Sequence, residues 1–317
     1  MTTHQEFAPA KVNLSLAVVG RREDGYHLLE SLVAFADIGD DLDIEIEEVP
    51  ERANECESVS IAGPFAAALH EALGQGAALS VERAYEIARA AARPRRFSVD
   101  VALIKSLPVA AGLGGGTSDA AAALRVLARA FELPWTDDEM ARQAIALGAD
   151  GPACVLARPL VMCGIGEDLR PLRTWPALDV VLANSGCAAP TPDVFAAFAA
   201  EGRYSEPGLA PPSASTSEEA IAVLRTLGND LTDAATKVAP PIKETLAALT
   251  ASPGARLARM SGSGATCWAV FDDAGAANRA AAQLGDEHPD WWAAPARLGG
   301  AGTFASSLGA QSAAGSA

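Results

Sequence analysis

Hydrophobic and polar positions along this chain switch between two periods, the mark of a molecule that mixes strands with helices. After Pro9-Ala10-Lys11, the run from Val12 to Val19 begins as an alternation of Val12, Leu14 and Leu16 with Asn13 and Ser15. That spacing predicts a half-buried strand. Residues 31–37 are apolar, Leu42-Asp43-Ile44-Glu45-Ile46-Glu47 alternates cleanly, and Phe97 to Ile104 alternates again, so each predicts a strand. Residues 76–92 change period and set Val81, Tyr85 and Ala88 on one helical face. Further helices are predicted after a glycine-rich loop as far as about Phe131, from Thr136 through Leu147, over 217–227 up to Gly228, over 240–250 and over 275–284. Thr136-Asp137-Asp138-Glu139 has the form of a capping box. Residues 158–182 hold strand-like runs broken by Gly164, Gly166, Pro171 and Pro176, and Arg256 to Phe271 predicts a strand, a glycine turn and a strand.

The segment 201–218, rich in Pro, Ser, Gly and Glu, is expected to be a mobile loop, and 305–317 a disordered tail. Strands and helices mix without strict alternation and without an internal repeat, which predicts an α+β fold. A break near 155–160 divides the chain into expected units 1–158 and 159–304.

Composition narrows the function. The chain has 317 residues, half of them apolar, enough for one large or two medium cores. A net charge of −16 leaves no broad basic face, so no nucleic-acid partner is expected. An anionic small ligand would need local donors. Cys56, Cys154, Cys163, Cys187 and Cys267 form neither a Cys-x-x-Cys pair nor a zinc spacing, and their odd number suits reduced thiols in a cytoplasm. No leader and no bilayer-length apolar run is read, so no membrane partner is expected. The oligomeric state is open.

One stretch concentrates candidate chemistry: Pro108-Val109-Ala110-Ala111-Gly112-Leu113-Gly114-Gly115-Gly116-Thr117-Ser118-Asp119, followed by an alanine run. Glycines permit a tight turn and close approach of a ligand, and the helix behind them points free N–H groups and its positive dipole end into that turn. Gly116 is followed by Thr117 and not by lysine, so the P-loop pattern fails. The dinucleotide fingerprint is strained, and the protein-kinase set is absent. A helix start with no ligand is the alternative. Other candidates also have a plain structural reading: Lys11 as a strand-entry lysine, Asp150 as a turn residue at a helix end, Arg21 to His27 as a hairpin turn, Phe195 as a core residue, Lys105 as a surface lysine, and Ser261-Gly262-Ser263-Gly264-Ala265-Thr266 as a tight turn between strands.

The glycine stretch resembles the phosphate loop of the GHMP kinases, a family of small-molecule kinases. Three more segments, spread over most of the chain, support the resemblance. It implies a two-domain fold, with a first domain like domain 2 of ribosomal protein S5 and a ferredoxin-like second domain. It implies an ATP-dependent kinase in which Lys105 and Pro108, Val109, Ala110, Ala111, Gly112, Leu113, Gly114, Gly115, Gly116, Thr117 and Ser118 bind ATP. Magnesium would bridge phosphate oxygens with help from Thr117, Ser118 or Asp119, and no separate protein metal site is expected. Pro9-Ala10-Lys11-x-Asn13 is similar to the family's catalytic lysine segment, and Gly148-Ala149-Asp150-x-Pro152 to the segment that carries its base. Asp24-Gly25-Tyr26-His27 and Phe195 resemble the member of the family whose acceptor carries a cytidine diphosphate. There the acceptor's 2-hydroxyl is phosphorylated in non-mevalonate isoprenoid-precursor synthesis. Asn13, Tyr26, His27 and Phe195 are then substrate contacts.

Gly151 departs from the β-branched residue common in relatives, and Ala78-Leu79-Ser80-Val81 lacks their asparagine. Asn229-Asp230-Leu231 matches a family string without an evident role. A mevalonate or homoserine kinase is the near alternative, opposed by Tyr26, His27 and Phe195. A non-catalytic nucleotide-binding regulator is the distant one, opposed by the retention of Lys11 and Asp150.

Overall fold

The computed structural model describes residues 1–50, 57–201 and 203–299. Its spine is one long strand. β1 (Thr2–Asn13) and β2 (Ala17–Arg21) both pair antiparallel with β3 (His27–Val49). The two strands expected at 31–37 and 42–47 are therefore continuous, because Gly39 lets β1 lie close against the spine. A Cβ on Gly39 would sit 2.2 Å from the Ala8 carbonyl oxygen.

Pairing is not uniform along the spine. Pro9 lies opposite Gly39, but Lys11 lies opposite Phe35, so β3 uses two more residues than β1 over that interval. Those residues join the two halves of the molecule. Ala36 pairs with Leu298, and the Asp37 carboxylate accepts the Arg297 N–H at 2.7 Å.

Beyond β3, β4 (Glu57–Ala62) lies parallel to β5 (Arg96–Ile104), which pairs with β3. Helices α1 (Ala66–Gly74) and α2 (Ser80–Ala92) connect β4 to β5. Gly74 and Gly76, the latter at φ +95°, separate them, so the helix expected over 76–92 begins at Ser80. Helix α3 (Gly115–Ala130) follows the glycine loop and buries Ala120 to Leu124. Leu124, Leu127, Val81 and Tyr85 pack on Leu42, Ile44 and Ile46 of the sheet, and Phe97 stacks on Phe131 with ring centres 3.8 Å apart.

Helix α4 (Asp137–Ala144) carries the expected cap, with the Thr136 hydroxyl accepting the Glu139 N–H. A 3-10 turn over 145–147 and α5 (Gly151–Leu156) follow. β6 (Leu160–Gly164) pairs with β3, and β7 (Asp168–Pro171) with β6, so hydrogen bonds of the first sheet extend past residue 158.

The remaining elements are β8 (Leu178–Asn184), α6 (Thr191–Glu201), α7 (Ser217–Thr226), α8 (Thr232–Val238), α9 (Pro241–Ala251), β9 (Ala255–Met260), β10 (Cys267–Phe271), α10 (Ala274–Glu287) and β11 (Trp292–Leu298). The strands run in the order β11-β8-β10-β9, each antiparallel to its neighbour. That order is fourth, first, third, second, the ferredoxin-like arrangement. Leu14, Leu32, Leu107, Leu113, Leu182 and Trp268 form an apolar seam between the halves. The Trp268 indole donates to the Asn13 carbonyl at 3.1 Å.

Elements 57–62, 66–74, 151–156, 191–201, 232–238 and 292–298 were not expected from the periodicity. Most are short or alanine-rich, and little pattern marks such segments locally. Residues 203–216 contain neither helix nor strand, as expected of that loop. The tail expected at 305–317 lies outside the described residues, and among those described no helix is long and apolar enough to cross a membrane.

The stacked Phe97–Phe131 pair lies far along α3 from its glycine loop. Phe131→Ala should cost about 3–5 kcal/mol of unfolding free energy in a urea titration, the usual range for emptying a buried aromatic site. A loss below about 1 kcal/mol would show that the pair does not anchor α3.

Candidate active site

The glycine loop joins β5 to α3. Its last residue, Gly114, caps α3 in the left-handed region at φ +63°, with no side-chain cap and no acidic residue in the first turn. The N–H groups of Gly115, Gly116 and Thr117 therefore have no partner within the helix and face an anion site. Beside them is a cavity of about 300 Å³, walled by Leu69 and Ala72 of α1, residues 77–81, Lys105 and loop residues 108–117. Ser80 stands in this wall near Gly116, where relatives' asparagine was missed in the sequence.

Two of the expected phosphate-side residues turn inward. The Ser118 hydroxyl is buried and donates to the Pro9 carbonyl at 2.7 Å. Lys105, expected to reach the nucleotide, borders the cavity but is only 3% exposed. Its ammonium donates to Asp40 at 2.5 Å and to Asp119 at 2.7 Å. The other Asp40 oxygen accepts the N–H groups of Ser106 and Leu107. Asp40 and Lys105 thus tie the entry of the loop to the second turn of α3. The second oxygen of Asp119 is buried without a partner among the described residues. Burial, offset in part by Lys105 and reinforced by the Asp40 charge, pushes the Asp119 carboxyl up to about 8. Thr117 is half-buried at the start of the helix.

On the other side of Gly114 lies Lys11. A Cβ on Gly114 would be 3.3 Å from the Lys11 Cβ and 3.4 Å from its Cε, a tight contact, and the φ of +63° favours glycine there. The Lys11 ammonium donates to Asp150 at 2.7 Å and to the Asn13 side-chain oxygen at 3.1 Å. Asn13 in turn donates to the Ser31 hydroxyl. Asp150 is a third exposed, at the start of α5. The glycine at 151 has a local reason, since a Cβ there would meet the Ala144 carbonyl oxygen at 2.1 Å.

The second glycine turn closes this arrangement. The Ser261 hydroxyl accepts the Asn13 N–H at 3.1 Å and donates to the Gly112 carbonyl at 3.3 Å. Thr266 donates its N–H to the Ala111 carbonyl, and its hydroxyl accepts from Asn184. Gly112, at φ +77°, has room for no side chain, because a Cβ would come 2.2 Å from the Gly264 carbonyl oxygen.

A second cleft of about 540 Å³ runs from Arg21 and Gly25 to Ala149, the neighbour of Asp150. Tyr26, His27 and Phe195 all line it. Tyr26 is 63% exposed. His27 stacks on Phe195 at 4.9 Å, so the ring face of Phe195 expected to meet a base is covered by the imidazole. Phe198 and Tyr204 complete the aromatic group, at 6.2 and 6.4 Å from the His27 ring. Burial, with the Arg21 charge adding to it, holds His27 below the usual imidazole range, so the ring is neutral. Its Nε2 is buried and has no partner among the described residues.

Sequence reasoning did not single out Asp40, Ser31, Leu69, Phe198 or Tyr204. A signal existed for Asp40, which occupies the same alternating phase as buried Leu42, Ile44 and Ile46. An aspartate on the buried face of a strand needs a partner.

Comparison with known proteins fits this geometry. The family model for the GHMP kinases N terminal domain matches residues 75–158, and that for the GHMP kinases C terminal matches 214–290. A 4-diphosphocytidyl-2-C-methyl-D-erythritol kinase of Cereibacter sphaeroides is 45% identical over 93% of this chain and 99% of its own length. The protein of that name from Paramagnetospirillum magneticum is 42% identical over 94% and 99%. A crystal structure of 4-(cytidine 5'-diphospho)-2C-methyl-D-erythritol kinase aligns over 94% of this chain and all of that one, with a TM-score of 0.72 and 32% identity. A mevalonate kinase from L. major shares the fold, with a TM-score of 0.65 over 94% of this chain and 96% of its own, at 14% identity.

The Asp119 carboxyl has a pH signature. Folded, it keeps its proton to about pH 8, whereas an unfolded aspartate releases it near ~4. The folded state binds the extra proton across that window, so this group's contribution to stability falls as pH rises from about 4 to about 8. Asp119→Asn should remove that slope. Urea titrations of parent and variant at several pH values in the window check it, and parallel stability curves would mean that Asp119 is ionised in the folded chain.

Proposed function

The chain belongs to the GHMP kinase family, and on that footing we propose that it transfers the γ-phosphoryl group of ATP to the 2-hydroxyl of 4-(cytidine 5'-diphospho)-2-C-methyl-D-erythritol. The observation that carries this reading is the Lys11–Asp150 pair, 2.7 Å apart, which has Gly114 of the phosphate loop on one side and Ala149 of the aromatic cleft on the other. A phosphate donor in one cavity and a nucleobase-bearing acceptor in the other would meet at that pair.

In this reading the β- and γ-phosphates take the N–H groups of Gly115, Gly116 and Thr117, and the adenosine lies toward Leu69, Ala72 and residues 77–81. An acceptor hydroxyl is a poor nucleophile at neutral pH. Asp150 orients it and accepts its proton as the oxygen forms its bond to the γ-phosphorus and the bond to the β-phosphate oxygen breaks. Lys11 holds the negative charge that develops on the transferred group, and Asn13 fixes the lysine. The neutral His27 ring, stacked on Phe195, borders the cytosine, and exposed Tyr26 can cover a face of the base.

Magnesium would add charge neutralisation at the phosphate oxygens. The half-buried Thr117 at the start of α3 suits it, whereas Ser118 and Asp119 are committed to Pro9 and Lys105. Among the described residues no group of three or more acidic, His or Cys side chains forms a cage. We also read the chain as units 1–158 and 159–304, and as a cytoplasmic protein, in keeping with the four free cysteines described.

Asp150→Asn should lower kcat by about 10²–10⁴ while ADP binds with nearly unchanged affinity, the expected result of losing a positioned base. Near-normal turnover in the folded variant would remove Asp150 from this role. His27→Ala should weaken cytidine diphosphate in isothermal titration and leave ADP alone. Unchanged cytidine diphosphate binding would leave the family and overturn the acceptor. A coupled assay offering the cytidyl substrate, mevalonate and homoserine to the parent should show turnover with the first only.

A further inference from the structure

Asn229 and Asp230 line neither cavity, yet each reaches a different part of the site. The turn that holds them, between α7 and α8, is stitched to the chain between β1 and β2. Leu16 donates its N–H to the Gly228 carbonyl at 3.0 Å and accepts the Asp230 N–H at 2.9 Å. From this fixed turn the two side chains diverge.

Asn229 donates both side-chain hydrogens to one loop, to the carbonyls of Met260 at 2.9 Å and Gly262 at 2.8 Å, and its oxygen accepts the Leu231 N–H. Three of the amide's four hydrogen-bonding positions are used, and two carbonyl acceptors on one side fix which end carries nitrogen. The loop it holds is the one whose Ser261 bonds Asn13 and Gly112. Gly262 itself, at φ +56°, rests so close to Asn13 that a Cβ would be 3.1 Å from its side-chain oxygen. That oxygen accepts from Lys11.

Asp230 points the other way. One carboxylate oxygen accepts the Val18 N–H at 2.8 Å and the Ser205 hydroxyl at 2.7 Å. Ser205 also donates its N–H to the Val18 carbonyl. Val18 lies on β2, which pairs with β3 up to Arg21 opposite His27. Tyr204, next to Ser205, brings its ring to 6.4 Å from His27 and 6.0 Å from Phe198.

We propose that Asn229 and Asp230 are positioning residues with separate duties: Asn229 sets the glycine turn that braces Asn13 and the phosphate loop, and Asp230 sets the hairpin and Tyr204 that hold His27 in the acceptor cleft. The assignment of Asp230 rests on the acceptor reading above, and that of Asn229 needs only a nucleotide in the phosphate loop. Adjacent in sequence, the two residues fix the donor and acceptor sites from one anchored turn.

The test is a split between two ligands on the full chain. Asn229→Ala and the milder Asn229→Ser should weaken ADP by about threefold to tenfold, the loss of one or two hydrogen bonds, and lower kcat, with cytidine diphosphate affinity unchanged. Asp230→Ala and the single-contact Ser205→Ala should weaken cytidine diphosphate by about the same factor and leave ADP unchanged. Asp230→Asn, whose oxygen can still accept both bonds, should restore parental binding. A lower melting temperature with both affinities unchanged would reduce the pair to a structural role and overturn the proposal. Equal weakening of both ligands in every variant would overturn the division of duties. If the parent does not bind cytidine diphosphate, the acceptor reading fails and takes the Asp230 assignment with it, while ADP binding alone still decides Asn229.

Discussion

Two backbones meet at Gly112 and Gly264 with no room for a side chain between them. That contact is where the two halves of the molecule close on the phosphate loop. A methyl group at residue 112 would push the turn 261–266 outward and, with it, the hydroxyl of Ser261 that holds both Asn13 and Gly112. Lys11 would then lose the partner that directs it toward Asp150. The site depends less on any one strong bond than on a stack of close backbone approaches, each of which only glycine permits.

The electrostatics follow the same economy. The chain is strongly acidic, and one of its two lysines near the phosphate loop is consumed internally. Lys105 neutralises Asp40 and also donates to the Asp119 carboxyl, in a setting where an unpaired charge would be costly, and so braces the loop instead of attracting a ligand. In the proposed reading the remaining attraction for phosphate comes from helix amides and from Lys11. These are short-ranged donors, suited to selecting a bound geometry more than to drawing polyanions from a distance.

Much of this was legible in the sequence. The alternating strands, the helix after the glycine loop, the Thr136 cap and the α+β class follow from local pattern, and the structure contains them. Lys11, Asp150, Tyr26, His27 and Phe195 stood out by resemblance; the structure pairs the first two and lines one cleft, which reaches Ala149, with the other three. What local pattern missed has a common cause. Asp40 becomes meaningful only when Lys105 and Asp119 arrive from residues far along the chain. The inward turns of Lys105 and Ser118 likewise depend on partners in β1 and β3. Helix α1 is too short to announce itself, yet Leu69 and Ala72 wall a cavity. The stacking of His27 on Phe195 arises between elements more than 160 positions apart, which no periodicity encodes.

The offset in β3 carries an evolutionary consequence. Between the pairs Pro9–Gly39 and Lys11–Phe35 the spine gains two residues on its partner, an even number, so the faces of both strands stay in phase across the joint. A gain or loss of one residue there would turn Asp40 away from Lys105 or His27 away from its cleft, because neighbouring side chains point to opposite faces. Descendants of this chain are therefore freer to vary in length over 210–213, between the bonded residues Leu209 and Ala214. In the spine they can change length only in steps of two, and any such step would have to be matched at Leu298, where the second sheet is joined.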